Sequence, residues 1–174
     1  MDEDKKTPPA APPSMPGDAE YDEVLELLQG EALRQAREIY SAEVVAECMA
    51  PQNVGRLEPC DGTAVLTGGC GDTMEITLRA EEGVVTEAAF LTDGCGATVA
   101  CGSAVTRLAR GRKFEEALDL TRRDILALLN GLPPSHLHCA ALAAETLVAA
   151  LTDHLERSGA TMTANPEGED HGTR

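Results

Sequence analysis

The stretch TMEITLRAEEGVVTEAAFLT, residues 73 to 92, decides how the chain folds. Met74, Ile76 and Leu78 alternate with polar neighbours, the period-two pattern of a strand that buries one face. This strand is expected over Met74 to Ala80 and another over Val84 to Thr92. The link between them, EEG at 81 to 83, is short and carries the glycine that a hairpin turn requires. Strands joined so closely pair antiparallel. Upstream, Gly62 to Thr67 gives a further strand signal, so the pattern predicts a three-stranded antiparallel sheet.

On either side of the sheet the period becomes helical. From Asp22 to Met49, apolar residues recur at Val24, Leu27, Leu28, Ala32, Leu33, Ala36, Ile39, Tyr40, Val44 and Cys48. Gly30 and the Tyr40–Ser41 pair are expected to divide this run into two helices, with Ser41 as N-cap, Glu43 in the first turn and Pro51 as terminator. After Cys95 a helix continues through Val99, Ala104, Val105 and Leu108 until Gly111 stops it. TRRDILALLN, 121 to 130, opens with Thr121 and Asp124 at capping-box spacing and closes at Gly131 with Pro133 and Pro134. A long final helix buries Leu137, Ala141, Ala144, Leu147 or Val148, Leu151 and Leu155. The fold class is α+β, a three-stranded antiparallel sheet packed against several helices. Residues 39 to 157 form the domain and 19 to 38 an extra N-terminal helix. The ends, 1 to 18 and 158 to 174, read as disordered tails, the first so rich in proline and charge that burial cannot offset its ordering entropy.

Composition removes several function classes. With 14 basic and 30 acidic residues the net charge is -16, which repels phosphate backbones, so nucleic acid is not expected as a partner. No apolar run approaches a membrane span. The N-terminus has no apolar signal region, which points to a cytoplasmic chain with reduced thiols. Tryptophan is absent, and there are two phenylalanines and two tyrosines, so small aliphatics must build the core.

The six cysteines are not equivalent. Cys70 lies between Gly69 and Gly71, and Cys95 between Gly94 and Gly96. Glycine adds nothing to a core and weakens regular elements, so something must approach the backbone there. Cys70 falls in the loop between the first two strands, Cys95 between the third strand and its helix, and Cys139 at the start of the last helix. Helix N-termini stabilise thiolates, and glycine-rich backbone forms the concave N–H nests used by iron-sulfur and anion sites. Asp72 stands beside Cys70 and His138 beside Cys139, giving three thiolates, a carboxylate and an imidazole. Such a set also suits tetrahedral zinc in a regulatory or structural protein, which is the alternative reading. A thiol enzyme pairing Cys139 with His138 is disfavoured, because adjacent helical residues diverge by about 100°. Cys48, Cys60 and Cys101 read as packed thiols. Cys101, six residues past Cys95, is about 120° round the helix and should face the core.

The ordered segments IYSAEVVAECMAPQNVG, GGCGDTMEI, LTDGCGATVACGS, KFEEAL and LNGLPPSHLHCAALAAETL resemble the IscU/NifU N-terminal family of iron-sulfur cluster assembly scaffolds, over roughly residues 39 to 155. The resemblance implies a scaffold, not an enzyme, on which a transient cluster, expected in the two-iron form, is built from iron and the sulfur of a cysteine desulfurase. An electron donor such as a ferredoxin would reduce that sulfur, and apo iron-sulfur proteins would receive the product. It also implies Cys70, Asp72, Cys95, His138 and Cys139 as ligand positions, Cys139 as persulfide acceptor and Tyr40 as a residue linked to persulfide reduction; whether a homodimer forms is left open. His136 is held as a substitute ligand for His138. The family's docking motif for an Hsp70-type chaperone ends in lysine; here it reads LPPSH, with His136 in that place.

Overall fold

In the computed structural model, which describes residues 18 to 159, the central element is the strand β2 (Thr73–Glu81). It is flanked by β1 (Gly62–Thr67) and β3 (Val84–Thr92), both antiparallel to it. Val65 faces Glu75 on one side and Leu91 faces it on the other. The hairpin turn is two residues long, Glu82 and Gly83, since Glu81 still belongs to the strand. Both have positive φ, 51° and 77°, which matches the twist of the flanking strands. Met74, Ile76 and Leu78 are fully buried, as the alternation predicts. Thr77, on the opposite face, is buried too, because Leu57 N–H donates to its hydroxyl at 3.0 Å and the segment before β1 covers it.

The helices are α1 (Asp18–Ile39), α2 (Ala42–Met49), α3 (Gly96–Ala109), α4 (Phe114–Leu118), α5 (Arg122–Leu128) and α6 (Leu137–Ser158), with a 3-10 turn over Pro134–His136. Gly30 does not interrupt α1: a helical glycine costs about 1 kcal/mol against alanine, a cost that i,i+3 and i,i+4 pairs between Arg34 and Glu31 and Glu38 help to offset. The only break falls at Tyr40. Ser41 then caps α2, accepting from Val44 N–H at 3.1 Å and donating to the Leu129 carbonyl at 2.5 Å. Thr121 and Asp124 form the predicted capping box of α5. The short α4 lies in a stretch the sequence pattern left unassigned, and Phe114 N–H ties it to the Gly83 carbonyl at 2.9 Å. The chain divides after Glu38 into two units. The predicted tails lie outside the described residues, except that α1 begins at Asp18 and α6 runs to Ser158 before Gly159 closes it with φ 64°.

Within the unit that begins at Ile39, α6 packs on β1 and β2, and α3 packs on β3, α2 and α6. Two glycines set these distances. A Cβ at Gly62 would stand 2.4 Å from the Ala150 carbonyl, so strand and helix backbones touch. A Cβ at Gly102 would stand 2.3 Å from a ring carbon of Phe90, the largest fully buried side chain. Buried Glu47 fastens α2 to α3 by accepting from Ser103 at 2.5 Å and from Arg107. Among the described residues, no helix is long and apolar enough to cross a membrane.

Candidate metal centre

Three elements converge at one end of the sheet. Asp72 comes from the β1–β2 loop, Cys95 is the N-cap of α3, and Cys139 is the third residue of α6. One ligand atom from each lies within 4.8 Å of the other two. The loop turns through a Gly71 N–H bond to the Gly68 carbonyl at 3.0 Å, with Gly71 at φ 93°. Thr73 N–H to Asp93 at 2.7 Å and Thr92 to the Thr73 carbonyl at 2.6 Å pin the loop's end to β3. Cys95 is exposed, Asp72 half-buried and Cys139 buried.

The glycines beside Cys95 now have a structural cause. A Cβ at Gly94 would meet Asp72 Oδ2 at 2.6 Å and Thr98 Cβ at 2.7 Å, and one at Gly96 would meet Cys48 Sγ at 2.8 Å. Those beside Cys70 differ: neither Gly69 nor Gly71 has an atom within 4 Å of such a Cβ, and Gly71 is needed for its positive φ.

At the middle of the group stands Thr98, which the sequence did not single out. It is fully buried. Its Oγ1 lies 2.5 Å from Asp72 Oδ2, 3.3 Å from Cys139 Sγ and 3.6 Å from Cys95 Sγ. The Thr98 hydroxyl is the main reason the Asp72 carboxyl is held below the usual range. Burial pushes the Cys95 thiol up, but hydrogen bonds at the helix start, those from the N–H groups of Thr98 and Ala97 among them, outweigh it, so Cys95 is lowered. Burial, together with the charges of Cys95 and Asp72, pushes the Cys139 thiol up to about 11. The lowered Cys95 thiol and the Asp72 carboxylate thus sit beside a Cys139 thiol that burial holds protonated.

The other predicted residues are distributed round this group. Cys70 is exposed on the loop and outside the trio, though its thiol is near enough to help keep Asp72 ionised. His138 Nε2 lies 3.5 Å from Cys139 Sγ, which corrects the expectation that adjacent residues must diverge: the backbone directions separate, but the imidazole is long enough to swing back. His136 has both ring nitrogens engaged, Nε2 with Tyr40 OH at 3.2 Å and Nδ1 with Ser135 Oγ at 2.9 Å. Tyr40 therefore borders the site through His136. Cys101 is fully buried in the core, as its helical angle predicts. Cys48 is half-buried against the start of α3, its thiol pushed up by burial and then by Cys95. Tertiary packing alone brings it there.

The chain matches the NifU-like N-terminal domain family over residues 39–161. It is 36% identical over 122 residues to the iron-sulfur cluster assembly scaffold protein IscU 1 of Archaeoglobus fulgidus, covering 70% of this chain and 80% of that protein. With the scaffold protein IscU of Azotobacter vinelandii it shares 35% identity over 125 residues, 69% of this chain and 97% of the other. Among solved structures, the N-terminal part of a nitrogen-fixing NifU-like protein from Brucella abortus has the same fold, with a TM-score of 0.55 at 22% identity, over 68% of this chain and 96% of that one. Sequence match and shared architecture agree: this chain belongs to the family of NifU-like N-terminal domains.

Proposed function

We propose that the protein is a scaffold that assembles an iron-sulfur cluster at the Asp72, Cys95 and Cys139 group and passes it on. The observation that carries this is the convergence of two sulfurs and one carboxylate oxygen within 4.8 Å, within the span that matches the family and at about 35% identity to proteins named as such scaffolds. The donor set fits the cargo. Thiolates bind iron-sulfur units firmly, whereas a carboxylate in a thiolate's place is a poorer match and eases departure. Cys70, exposed on its loop, and His138, beside Cys139, supply the remaining donors. His136, engaged with Tyr40 and Ser135, does not.

Sulfur arrives at Cys139. His138 Nε2, at 3.5 Å, takes the thiol proton, and the resulting thiolate attacks the outer sulfur of a desulfurase persulfide. The desulfurase cysteine leaves as its thiolate, and Cys139 then carries the persulfide. Two electrons from an external donor such as a ferredoxin, relayed at the rim where Tyr40 stands, reduce it to sulfide and return the Cys139 thiolate. Iron held by Asp72, Cys95 and Cys70 meets that sulfide, and a two-iron cluster departs to apo-proteins. The protein's own part is binding and ordering, in the cytoplasm, without turnover of a resident cofactor.

The test is anaerobic reconstitution with iron, cysteine and a desulfurase, followed by absorbance and Mössbauer spectroscopy. A two-iron spectrum that transfers to an apo-ferredoxin is expected. A colourless protein that takes up zinc alone would overturn the proposal.

A further inference from the structure

Thr98 touches all three members of the group, yet it can be no strong metal ligand itself. It is the N3 residue of α3, buried without measurable exposure, and it meets residues from three separate elements: Asp72 of the loop, Cys95 of its own helix and Cys139 of α6. A hydroxyl has one proton and two lone pairs. The ionised carboxylate can only accept, and it is the nearest neighbour, so the proton goes to Asp72 Oδ2. The two sulfurs lie farther from the hydroxyl, at 3.3 Å for Cys139 and 3.6 Å for Cys95. The other bond from α3 to that carboxylate, from Cys95 N–H, is long at 3.4 Å. A second, independent feature points the same way: Gly94 has no side chain where a Cβ would meet both Asp72 Oδ2 and the Thr98 Cβ and Cγ2 at 2.6 to 2.8 Å.

We propose that Thr98 is a positioning residue for metal: its hydroxyl clamps Asp72 Oδ2, so that Oδ1 alone is offered to an ion and the carboxylate is set at a fixed distance from Cys95 and Cys139. Gly94 is the seat that gives the clamp room. The inference rests on the group being the metal site of the scaffold, and it adds a requirement that the ligand residues do not state. Without the hydroxyl, the carboxylate is free to turn to water and each binding event must reorder it.

The test uses the full chain freed of metal and titrated with cobalt(II), followed by the sulfur-to-cobalt charge-transfer band. Loss of an outer partner of a metal ligand weakens binding about 10- to 100-fold, and that is the loss expected for Thr98→Val, which keeps shape and removes the hydroxyl. Thr98→Ser should restore affinity to within about threefold, and Gly94→Ala, which keeps the hydroxyl but crowds the clamp, should reproduce the loss. In an Asp72→Ala background, Thr98→Val should cost nothing more, because coupled residues are not additive. Unchanged cobalt affinity in Gly94→Ala or Thr98→Val overturns the proposal, as does an equal loss with and without Asp72, which would mean packing. Should Thr98→Val fail to fold by circular dichroism, Gly94→Ala and Thr98→Ser decide alone. Wild-type protein that binds cobalt with this pattern but assembles no cluster would overturn the scaffold function and support the clamp.

Discussion

The protonated state of Cys139 can be measured as a rate. An ordinary thiol, with pKa about 8.5, is roughly one-tenth thiolate at pH 7.5. Cys139, pushed up to about 11 by burial and by the charges of Cys95 and Asp72, is thiolate in about one molecule in 3,000 at that pH, about 300-fold less. Alkylation goes through the thiolate. Metal-free protein treated with iodoacetamide, quenched and read peptide by peptide by mass spectrometry, should therefore label Cys139 at least about 300-fold more slowly in native protein than in urea. Burial adds to the delay. The native rate should rise about tenfold per pH unit through pH 10, while the rate in urea levels off above about pH 9. Cys95, exposed and lowered, should move the opposite way and react at least as fast folded as unfolded. A native Cys139 rate within tenfold of that in urea, or levelling off near pH 9, would refute the reasoning that its surroundings hold the proton.

Cys48, Cys101 and Cys139 are all raised in the folded protein; the native state keeps protons that the unfolded chain loses, so their contribution is full below about pH 8.5 and falls as pH rises. Urea midpoints of metal-free protein should accordingly drop between pH 7.5 and 10.5. Gly102→Ala gains about 1 kcal/mol of helix propensity but drives a Cβ to 2.3 Å from the Phe90 ring; overpacking costs about 1 to 3 kcal/mol and wins, whereas Gly30→Ala, with open space around it, should stabilise α1. Denaturant unfolding separates the two signs. Cys70→Ser, Cys95→Ser and Cys139→Ser should each abolish or severely weaken the reconstituted chromophore, while Cys48→Ser and Cys60→Ser leave it largely intact. His138→Ala should lower cobalt affinity and His136→Ala should not, since His136 is bonded to Tyr40 and Ser135; the reverse result by titration would exchange their roles.

The sheet was legible because its signals are local. Alternation at Met74, Ile76 and Leu78 and a glycine at the turn need no tertiary knowledge, and β1 and β3 run over the residues the pattern marks. Gly30 misled, because helix propensity is a weak local preference that surface pairs can override. The five-residue α4 is shorter than the window in which periodicity can be seen. At the site, glycine context singled out Cys95 but could not say what approaches the backbone; Asp72 and Cys48 are brought there by packing across elements distant in sequence, and Thr98 by one turn of the helix that Cys95 caps. Thr98 carries no chemical signature of its own, being one threonine in a helix's first turn. The contact of His138 with Cys139 depends on how an imidazole swings, which a helical wheel does not contain.

The meeting of Gly62 with Ala150 has a mechanical consequence. There the strand and helix backbones approach closely, and Cys139 stands eleven residues earlier on the same helix, about 16 Å along its axis. The helix is thus a lever whose fulcrum lies at the strand. Rocking by about four degrees about that point carries Cys139 through about 1 Å, enough to open or close its contact with Thr98 of α3, while the far end near Ser158 is displaced less. A partner that leans on the first turn of α6 would tune the spacing of the donors without touching any of them.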